Sequence, residues 1–404
     1  MYAYFISTTK NEEMITSTLR RCCRRAPTAS ATAKQTNNGS CRYSSAQQLD
    51  SDRQCIQKSP LLTNNNELSA IVNSFPTDGV DYAFGYGSGV LKQQQSLSDD
   101  AHSTKPGMVD IILAVDDTYS WHKQNLQSNK NHYSGFARIG GSSFVCWMQN
   151  MGARLYFHPF VAVDLSPSND KHERTTTQRE IKYGVISTDD MIEDLTQWKY
   201  LYLAGRMHKP TVEIENRKHE IIAEAQHQNL LAAVSASILL HGGVDDDDDS
   251  LSTTQLYNTI AGISYTGDIR MQTGAEDPNK VKKLVETPGM LGLWDNMYST
   301  IFEDLQRLGI LSKNDTKLDL DFNDVGMRRE LMTNLPQRLH SDEIVGISNS
   351  KDSIIQGNEL LRNELRRIVA PAAKSQSIKG LFSAGVSKSF NYAMAKFAKG
   401  RLKS

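Results

Sequence analysis

Short apolar runs in the first half of the chain predict β-strands. Met108 to Val115 is continuously apolar except for Asp110, as expected for a buried strand that carries one carboxylate. Phe157 to Leu165 and Ile181 to Ser187 predict two more strands. Asp81 to Leu91 predicts a strand, a glycine-rich turn and the start of a helix. Strands mixed with helical stretches, such as the helix predicted at 190–203, predict an α/β or an α+β domain.

Beyond Lys209 the pattern of apolar positions becomes helical. Helices are predicted at 217–240, 252–263, 278–284 and 294–308. We therefore expect four parts along the chain. These are a leader of residues 1–67, an α+β domain of residues 68–209, a helical domain of residues 210–340 and a C-terminal segment of residues 341–404.

Charge is balanced overall but unevenly distributed. The 45 basic and 46 acidic residues give a net charge of −1, which does not favour a nucleic-acid partner. Residues 14–49 contain six basic and no acidic residues, which is typical of an organelle transit peptide, with a disordered tail as the alternative. Residues 371–404 also lack acidic residues, and aromatic residues alternate with lysines there. This composition predicts peripheral attachment to an anionic membrane, or else a terminal helix that packs on the core.

The first candidate site is the glycine-rich turn that contains Gly87, Ser88 and Gly89. Glycines between a strand and a helix let backbone N–H groups approach a triphosphate without obstruction from Cβ atoms. The turn lacks the lysine of a P-loop and the third glycine of a Rossmann fingerprint, so the motif alone is weak. Asp110, about twenty residues later, strengthens it. Polymerase-β-like nucleotidyltransferases combine such a turn with acidic residues on neighbouring strands.

Asp110 is the first candidate ligand for Mg²⁺, an ion that bridges nucleotide phosphates and offsets charge during attack on phosphorus. The usual second acidic residue two positions later is absent, because Ile112 stands there. The candidate replacements are Asp164, at the end of the next predicted strand, and Asp116 or Asp117, just past the first. A role in a turn is the alternative for Asp116 and Asp117.

A dense polar and aromatic stretch from Trp121 to Ser134 is a second candidate site. It contains His122 and Tyr133, which are candidates for binding the nucleotide. The histidines His122 and His132 lie ten residues apart, which is not a local metal-ligand spacing. A structural histidine with satisfied hydrogen bonds is therefore the alternative.

Basic residues form the third candidate group. Lys182, Arg206 and Lys209 are candidates to hold the triphosphate or an acidic lipid headgroup, because guanidinium and ammonium groups bind phosphate oxygens. Asp268 and Arg270 are similar candidates, although an Asp and an Arg two residues apart can also form a structural pair. The candidate catalytic residues are thus Asp110, Asp164 and Lys182.

The order of these motifs closely resembles the mitochondrial translocator assembly and maintenance protein family. The resemblance is carried by Phe-Gly-Tyr-Gly-Ser-Gly-Val from Phe84, Met-Val-Asp-Ile-Ile-Leu-Ala-Val-Asp-Asp from Met108, Trp-His-x-x-Asn from Trp121 and His-Tyr-Ser from His132. Further matches lie at 181–187, 201–210, 260–271 and 375–392. The resemblance covers roughly residues 68–404.

The resemblance implies a CTP:phosphatidate cytidylyltransferase that makes CDP-diacylglycerol for phosphatidylglycerol and cardiolipin synthesis. It implies a polymerase-β-like nucleotidyltransferase domain, a winged-helix-like domain and a basic C-terminal segment that attaches to the matrix face of the inner mitochondrial membrane. Gly87 and Ser88 would line the triphosphate, and Asp110 would hold Mg²⁺. The alternatives are nucleotide transfer to RNA or protein, and a non-catalytic membrane adaptor that supports protein import or assembly.

Overall fold

The computed structural model describes residues 65–91, 107–165, 178–241, 250–274, 276–322, 324–345 and 350–384. The predicted transit peptide, the acidic run 245–249, most of the polar loop 166–180 and the tail beyond residue 384 lie outside these ranges. All of the described residues belong to one compact unit.

A five-stranded mixed sheet forms the first half of the described chain. Two of its strands, β2 and β4, run parallel, and every other neighbouring pair is antiparallel. β2 is buried along its length except at Asp110, as the sequence predicts. In spatial order β3-β4-β2-β1-β5, the strands are β1 Val80–Tyr86, β2 Val109–Val115, β3 Tyr156–Asp164, β4 Gln178–Ser187 and β5 Val212–Asn216.

Helices surround this sheet and make up most of the second half, which confirms the α+β class. The helices of the first half are α1 Asn65–Asn73, α2 Thr118–Ser128, α3 Gly135–Gln149, α4 Thr188–Gln197 and α5 Ala204–Met207. Those of the second half are α6 His219–His241, α7 Thr253–Ile263, α8 Ile269–Gln272, α9 Lys280–Glu286, α10 Met290–Arg307, α11 Val325–Thr333, α12 Asp342–Val345 and α13 Lys351–Ala384. None of these described helices combines the length and apolar character needed to cross a bilayer.

The second half also contains a small antiparallel sheet that the sequence did not predict. Its strands are β6 Ser250–Ser252, β7 Ser312–Asn314 and β8 Lys317–Asp319, in the order β6-β8-β7. Strands of three residues carry too little hydrophobic periodicity to be recognised in a sequence. The boundary predicted at residue 209 is also wrong, because β5 lies beyond it and completes the five-stranded sheet.

The helix start predicted after the glycine-rich turn lies at the edge of the described residues. The N–H groups of Val90 and Leu91 both donate to Gly87 O, and residues 92–106 lie outside the described ranges. The helix predicted at 190–203 ends at Gln197, and Trp198 adopts a left-handed conformation with φ of 47°. The residues after Trp198 form a loop whose backbone hydrogen bonds go to a side chain instead of to a helix.

The long terminal helix α13 docks on the first half of the chain. Gln376 Nε2 donates to Leu155 O at 3.0 Å, and Lys379 Nζ donates to Met151 O at 2.6 Å and to Leu155 O at 3.0 Å. Both side chains are buried. Residues 371–384 are therefore a packed helix, the alternative interpretation of this composition, and a free membrane-binding segment can begin only after Ala384.

Candidate active site

Asp110 lies on β2 between side chains from two neighbouring strands. Its Cα pairs with Tyr86 on β1 and with Lys182 on β4. Because paired residues in a sheet point to the same face, the three side chains meet there. Lys182 Nζ lies 3.6 Å from Asp110 Oδ1. The structure thus brings together two of the residues that the sequence singles out.

The glycine-rich turn after β1 borders the same carboxylate. Gly87 has a φ of 77°, and a Cβ atom on it would lie 3.5 Å from Asp110 Oδ2. A Cβ atom on Gly89 would lie 1.9 Å from Met108 O, so only glycine permits this close approach of the turn to the start of β2. Ser88 is exposed at the tip of the turn. The predicted phosphate turn therefore lies beside the predicted metal ligand.

Aromatic rings hold Arg206, from α5, in the same cluster. Its guanidinium carbon lies 4.7 Å from the ring centre of Tyr86, 5.0 Å from that of Tyr202 and 5.6 Å from that of Phe157. The guanidinium also donates to Tyr202 Oη at 3.1 Å. The ring centre of Phe157 lies 4.5 Å from Lys182 Nζ. The ring of Phe157 thus contacts both Lys182 and Arg206.

Arg270 brings a third cation from the second half of the chain. Asp268, which is buried, fixes it through Arg270 Nε to Oδ1 at 3.1 Å and a terminal nitrogen to Oδ2 at 2.6 Å. Burial raises the pKa of the Tyr202 hydroxyl, but Arg206, Arg270 and Lys182 outweigh it and bring the pKa below its usual value. Three cations therefore converge on one tyrosine.

Lys209 lies beside this cluster and bridges the two halves of the chain. Its ammonium group donates to Gly205 O at 2.6 Å and to Ser264 Oγ at 2.8 Å. Burial lowers the pKa of Lys209 to about 7, and the charges of Arg206 and Lys280 add to this effect. The charge state of Lys209 is therefore sensitive to any anion that binds nearby.

The cluster has the character of a phosphate site. Burial lowers the pKa of Lys182, and the nearby Asp110 offsets part of that effect. Arg206 Nε is buried and has no hydrogen-bond partner among the described residues, which leaves a donor for a ligand. Lys182, Arg206 and Arg270 outnumber the two carboxylates beside them, Asp110 and Asp268, which leaves a surplus of one positive charge for phosphate oxygens.

Asp164 and Asp116 lie too far from Asp110 to share an ion with it, which corrects the prediction of the second ligand. Asp164 pairs with Gln178, four residues before Lys182, on a strand two positions from β2. That places it about 13 Å along the sheet and about 10 Å across it. Asp116 follows the far end of β2, about 20 Å from Asp110, and forms an ion pair with Lys218 at 3.7 Å.

Asp117 has the turn role that was the alternative for it. Its carboxylate caps α2 by accepting hydrogen bonds from the N–H groups of Tyr119 at 3.1 Å and Ser120 at 3.2 Å. Within the described residues, no group of three His, Cys, Asp or Glu side chains is arranged to hold a metal. Asp110 is thus a single carboxylate and not part of a preformed metal cage.

His122 and Tyr133 belong to a buried hydrogen-bond network. His122 Nδ1 accepts from Tyr133 Oη at 2.9 Å when Nε2 donates to Gln149 Oε1 at 3.0 Å. Asn125 Nδ2 donates to the hydroxyls of both Tyr133 and Tyr183, at 3.0 and 2.9 Å. Burial lowers the pKa of His122 to about 4, which keeps the ring neutral. Every polar atom of His122 is therefore occupied inside the protein.

This network lies on the other face of the sheet from Asp110. Tyr183 pairs with Ile111 on β2, and adjacent residues of a strand point to opposite faces. The structure therefore does not bring His122 and Tyr133 to the cationic cluster. In the structure His122 and Tyr133 have a structural role, which was the alternative to nucleotide binding for this stretch.

The loop that presents Tyr202 and Arg206 is shaped by one carboxylate, Asp194 of α4. Asp194 is buried, and its two oxygens accept five backbone hydrogen bonds of 2.7 to 3.1 Å. The donors are the N–H groups of Tyr200, Leu201, Tyr202, Leu203 and Ala204. The Asp194 side chain thus satisfies the backbone N–H groups of the loop between α4 and α5, and it fixes the position of α5.

The comparison with known proteins agrees with this site. The family model described as "Phosphatidate cytidylyltransferase, mitochondrial" matches residues 68–399. The chain belongs to this family. The match includes the glycine-rich turn, Asp110, Lys182, Arg206 and Arg270, and so covers every residue of the cationic cluster.

Relatives of that name match nearly their whole length. Those of Xenopus laevis, Rattus norvegicus and Caenorhabditis elegans are 32%, 33% and 30% identical over 341, 344 and 349 residues. The alignments cover 81%, 82% and 83% of this chain and 93%, 94% and 98% of the relatives. The family membership therefore applies to the sheet and to the helical half together.

Sequence reasoning missed four residues of the site: Tyr86, Phe157, Tyr202 and Asp194. Tyr86 stands inside the glycine-rich motif, and Tyr202 precedes Arg206 by four residues, so an aromatic lining near the motifs was a usable signal. Asp194 gives no such signal, because an acidic residue in a helix is ordinarily solvated. Its role depends on a loop conformation that only the structure shows.

Replacing Gly89 with alanine should destabilise the protein. The added Cβ would overlap Met108 O, so we expect the free energy of unfolding to fall by about 2–4 kcal/mol in urea titrations. Gly292→Ala is the matched control, because Gly292, like Gly89, has no left-handed φ but has nothing within 4 Å of its Cβ position. An equal loss in both variants would show that the close approach to Met108 is not what makes Gly89 necessary.

Replacing Asp194 with asparagine should loosen the loop that presents Arg206. The amide nitrogen cannot accept the N–H groups that one carboxylate oxygen now accepts, so we expect a loss of about 2–4 kcal/mol in the free energy of unfolding. Asp189→Asn, an exposed position on the same helix, should change it by less than about 1 kcal/mol. Asp194→Asn with wild-type stability would contradict the assigned role.

Proposed function

We propose that the protein is a phosphatidate cytidylyltransferase, which joins CTP to phosphatidate and releases CDP-diacylglycerol and pyrophosphate. The convergence of Lys182, Arg206 and Arg270 beside Asp110 is the observation that carries the proposal, in a chain whose family is named for this reaction. Both substrates are phosphate anions, and the cluster offers them positive charge. An adaptor without catalytic activity has no need for a lysine and a partly buried arginine beside a half-buried carboxylate.

The cations and the glycine-rich turn hold the nucleotide. Arg206 and Arg270 bind oxygens of the triphosphate, because planar guanidinium groups match pairs of phosphate oxygens. The glycine-rich turn lies beside the same phosphates, because Gly87 borders Asp110. Lys182, held between Asp110 and the Phe157 ring, faces the α-phosphate and offsets the charge that develops there.

Asp110 is the residue that would hold Mg²⁺ in this site. Mg²⁺ usually takes one or two carboxylates and completes its coordination with phosphates and water, so a single carboxylate suits an ion that the triphosphate also binds. Gly87 leaves the side of Oδ2 unobstructed. When bound, the ion offsets phosphate charge during the transfer.

The transfer itself needs positioning more than proton movement. A phosphate of phosphatidate is already an anion at neutral pH, so its oxygen attacks the α-phosphorus without a strong general base. The bond between the α-phosphorus and the bridging oxygen breaks, and pyrophosphate leaves on the side of Arg206 and Arg270. Orientation and charge stabilisation by the cluster supply the rate enhancement.

The proposal extends to the folds of the two domains and to the location of the protein in the cell. β1, the glycine-rich turn and the carboxylate on β2 correspond to a polymerase-β-like nucleotidyltransferase domain. The order α7, α9, α10 and the β7–β8 hairpin, with β6 in the same small sheet, suits a winged-helix-like domain. The protein acts peripherally on the matrix side of the inner mitochondrial membrane, where the basic segment beyond Ala384 attaches to anionic lipid.

Removing the carboxylate of Asp110 should abolish turnover. We expect Asp110→Asn to lower kcat on the order of 100-fold or more in an assay of labelled CTP, phosphatidate vesicles and Mg²⁺. Asp116→Asn is the matched control just past the same strand and should retain activity, because Asp116 lies far from the cluster. A folded Asp110→Asn protein with wild-type kcat would remove Asp110 from the mechanism.

Binding of CTP at pH 8 should be accompanied by proton uptake at Lys209. The free group has a pKa of about 7 and is largely neutral at pH 8, whereas a triphosphate on the adjacent Arg206 favours the charged form. Calorimetry in buffers of different ionisation enthalpy should detect up to about one proton taken up at pH 8 and less at pH 6. Lys209→Met should remove the difference, and equal uptake in the variant would assign the proton elsewhere.

A further inference from the structure

We propose that the exposed side of α3, together with the end of α13 that packs beside it, lies against an anionic lipid bilayer. We call this surface the lipid face and define it by Phe136, Ile139, Trp147, Met151 and Ile378. It is separate from the segment beyond Ala384. It rests on the proposed function only in that the second substrate is a membrane lipid.

The lipid face exposes large apolar side chains that a folded protein ordinarily buries. The exposed fractions are 60% for Phe136, 89% for Ile139, 59% for Trp147 and 36% for Met151. All four belong to α3, which is kinked at Gly141 (φ of 64°) between Ile139 and Trp147, or to the two residues that follow it. Single exposed apolar residues are common, but a group within one segment of 16 residues marks an interaction surface. The opposite side of α3 is buried in an apolar cluster through Ala137, Val145 and Met148.

The segment of the chain that contains α3 carries basic side chains and no acidic ones. Residues 118–163 contain no Asp or Glu, although 46 of the 404 residues of the chain are acidic. The same stretch contains Lys123, Lys130, Arg138 and Arg154. Arg154 forms an ion pair with Asp190 at 3.5 Å, so the other three supply the positive surface charge. A surface that combines apolar and basic groups suits an anionic bilayer.

A second acid-free segment packs directly against the first. Residues 365–384 of α13 contain no Asp or Glu, and Ile378 there is 48% exposed. Lys379 ties this segment to the end of α3 through Met151 O and Leu155 O. Two stretches more than 200 residues apart in the chain thus build one surface without carboxylates of their own.

Charge favours a bilayer over a second copy of this chain. A symmetric dimer through the lipid face would bring two basic surfaces together, which costs free energy. The buried side of α3 packs on Tyr133 and Tyr156, on the face of the sheet away from Asp110. The proposed contact therefore anchors the protein to the bilayer at a place separate from the cationic cluster.

Trp147 provides a direct readout of the proposed contact. The chain contains four tryptophans, and the other three, Trp121, Trp198 and Trp294, are buried. Quenching of the protein's fluorescence by acrylamide therefore reports mainly on Trp147. Vesicles of phosphatidylcholine and phosphatidylglycerol, without phosphatidate or CTP, should reduce this quenching by about half or more in the full chain. Vesicles of phosphatidylcholine alone should have much less effect, because the basic residues then lack a partner.

A double variant tests the apolar part of the surface while keeping the reporter. Phe136→Ser with Ile139→Ser should raise the lipid concentration at half-saturation about ten-fold or more, because two exposed apolar side chains no longer insert. Ile221→Ser with Leu308→Ser is the matched control, since these residues are 53% and 62% exposed in the helical half. The control should bind as the wild type does.

Three outcomes would overturn the proposal. Vesicle binding that leaves Trp147 open to acrylamide would mean that another segment makes the contact. Equal weakening by both double variants would mean that the position of the apolar residues is irrelevant. Shielding of Trp147 without lipid, with a doubled mass in light scattering, would make the surface an interface between two copies.

The same variants separate this proposal from the proposed function. Turnover of a short-chain, monomerically soluble phosphatidate does not require a bilayer, so the Phe136→Ser and Ile139→Ser protein should retain it while losing turnover of vesicle phosphatidate about ten-fold. Binding without any turnover in the wild type would refute the enzyme assignment and leave the lipid face in place. Should the double variant not fold, the acrylamide titration of the wild type decides alone.

Discussion

The buried carboxylate of Asp194 is the constraint on which the site depends. The chain must leave α4 and reach α5 without a helix or strand to satisfy its backbone, and five N–H groups converge on this one side chain. A buried N–H group without a partner is costly, so the loop has few other conformations of similar free energy. Arg206 and Tyr202 are therefore positioned before any ligand arrives, and binding does not have to order them.

The pleat of the central sheet separates the cationic cluster from the buried hydrogen-bond network. Asp110 and Lys182 point to one face, and their neighbours Ile111 and Tyr183 point to the other. On the second face, a histidine-rich hydrogen-bond network holds α2 against the sheet. The side chains of His122, Asn125 and Tyr133 find their hydrogen-bond partners inside the protein, whereas the cationic cluster leaves charge for a ligand.

Predictions that concern one strand hold, whereas contacts between strands do not follow from the sequence. β2 with one inward carboxylate was predictable, because a continuous apolar run interrupted by a single Asp is typical of a buried strand. The contact of Asp110 with Lys182 depends on the parallel register of β2 and β4, which the sequence does not specify. His122 was misassigned, since a polar residue in a dense motif gives the same pattern whether it faces a ligand or a buried partner. Asp164 was misplaced because its distance from Asp110 depends on strand order.

The distribution of the site over both halves of the chain gives the helical half a part in binding. Arg270 comes from α8, where Asp268 holds it, and Lys209 reaches across to Ser264. The set of cations is therefore complete only when the two halves are packed together. For the Mg²⁺ ion of the proposed function, a single carboxylate from the sheet would suffice on the protein side, because the nucleotide would supply oxygens of its own. The helical half thus serves the chemistry as well as the stability of the fold, which is consistent with relatives that match over nearly their whole length.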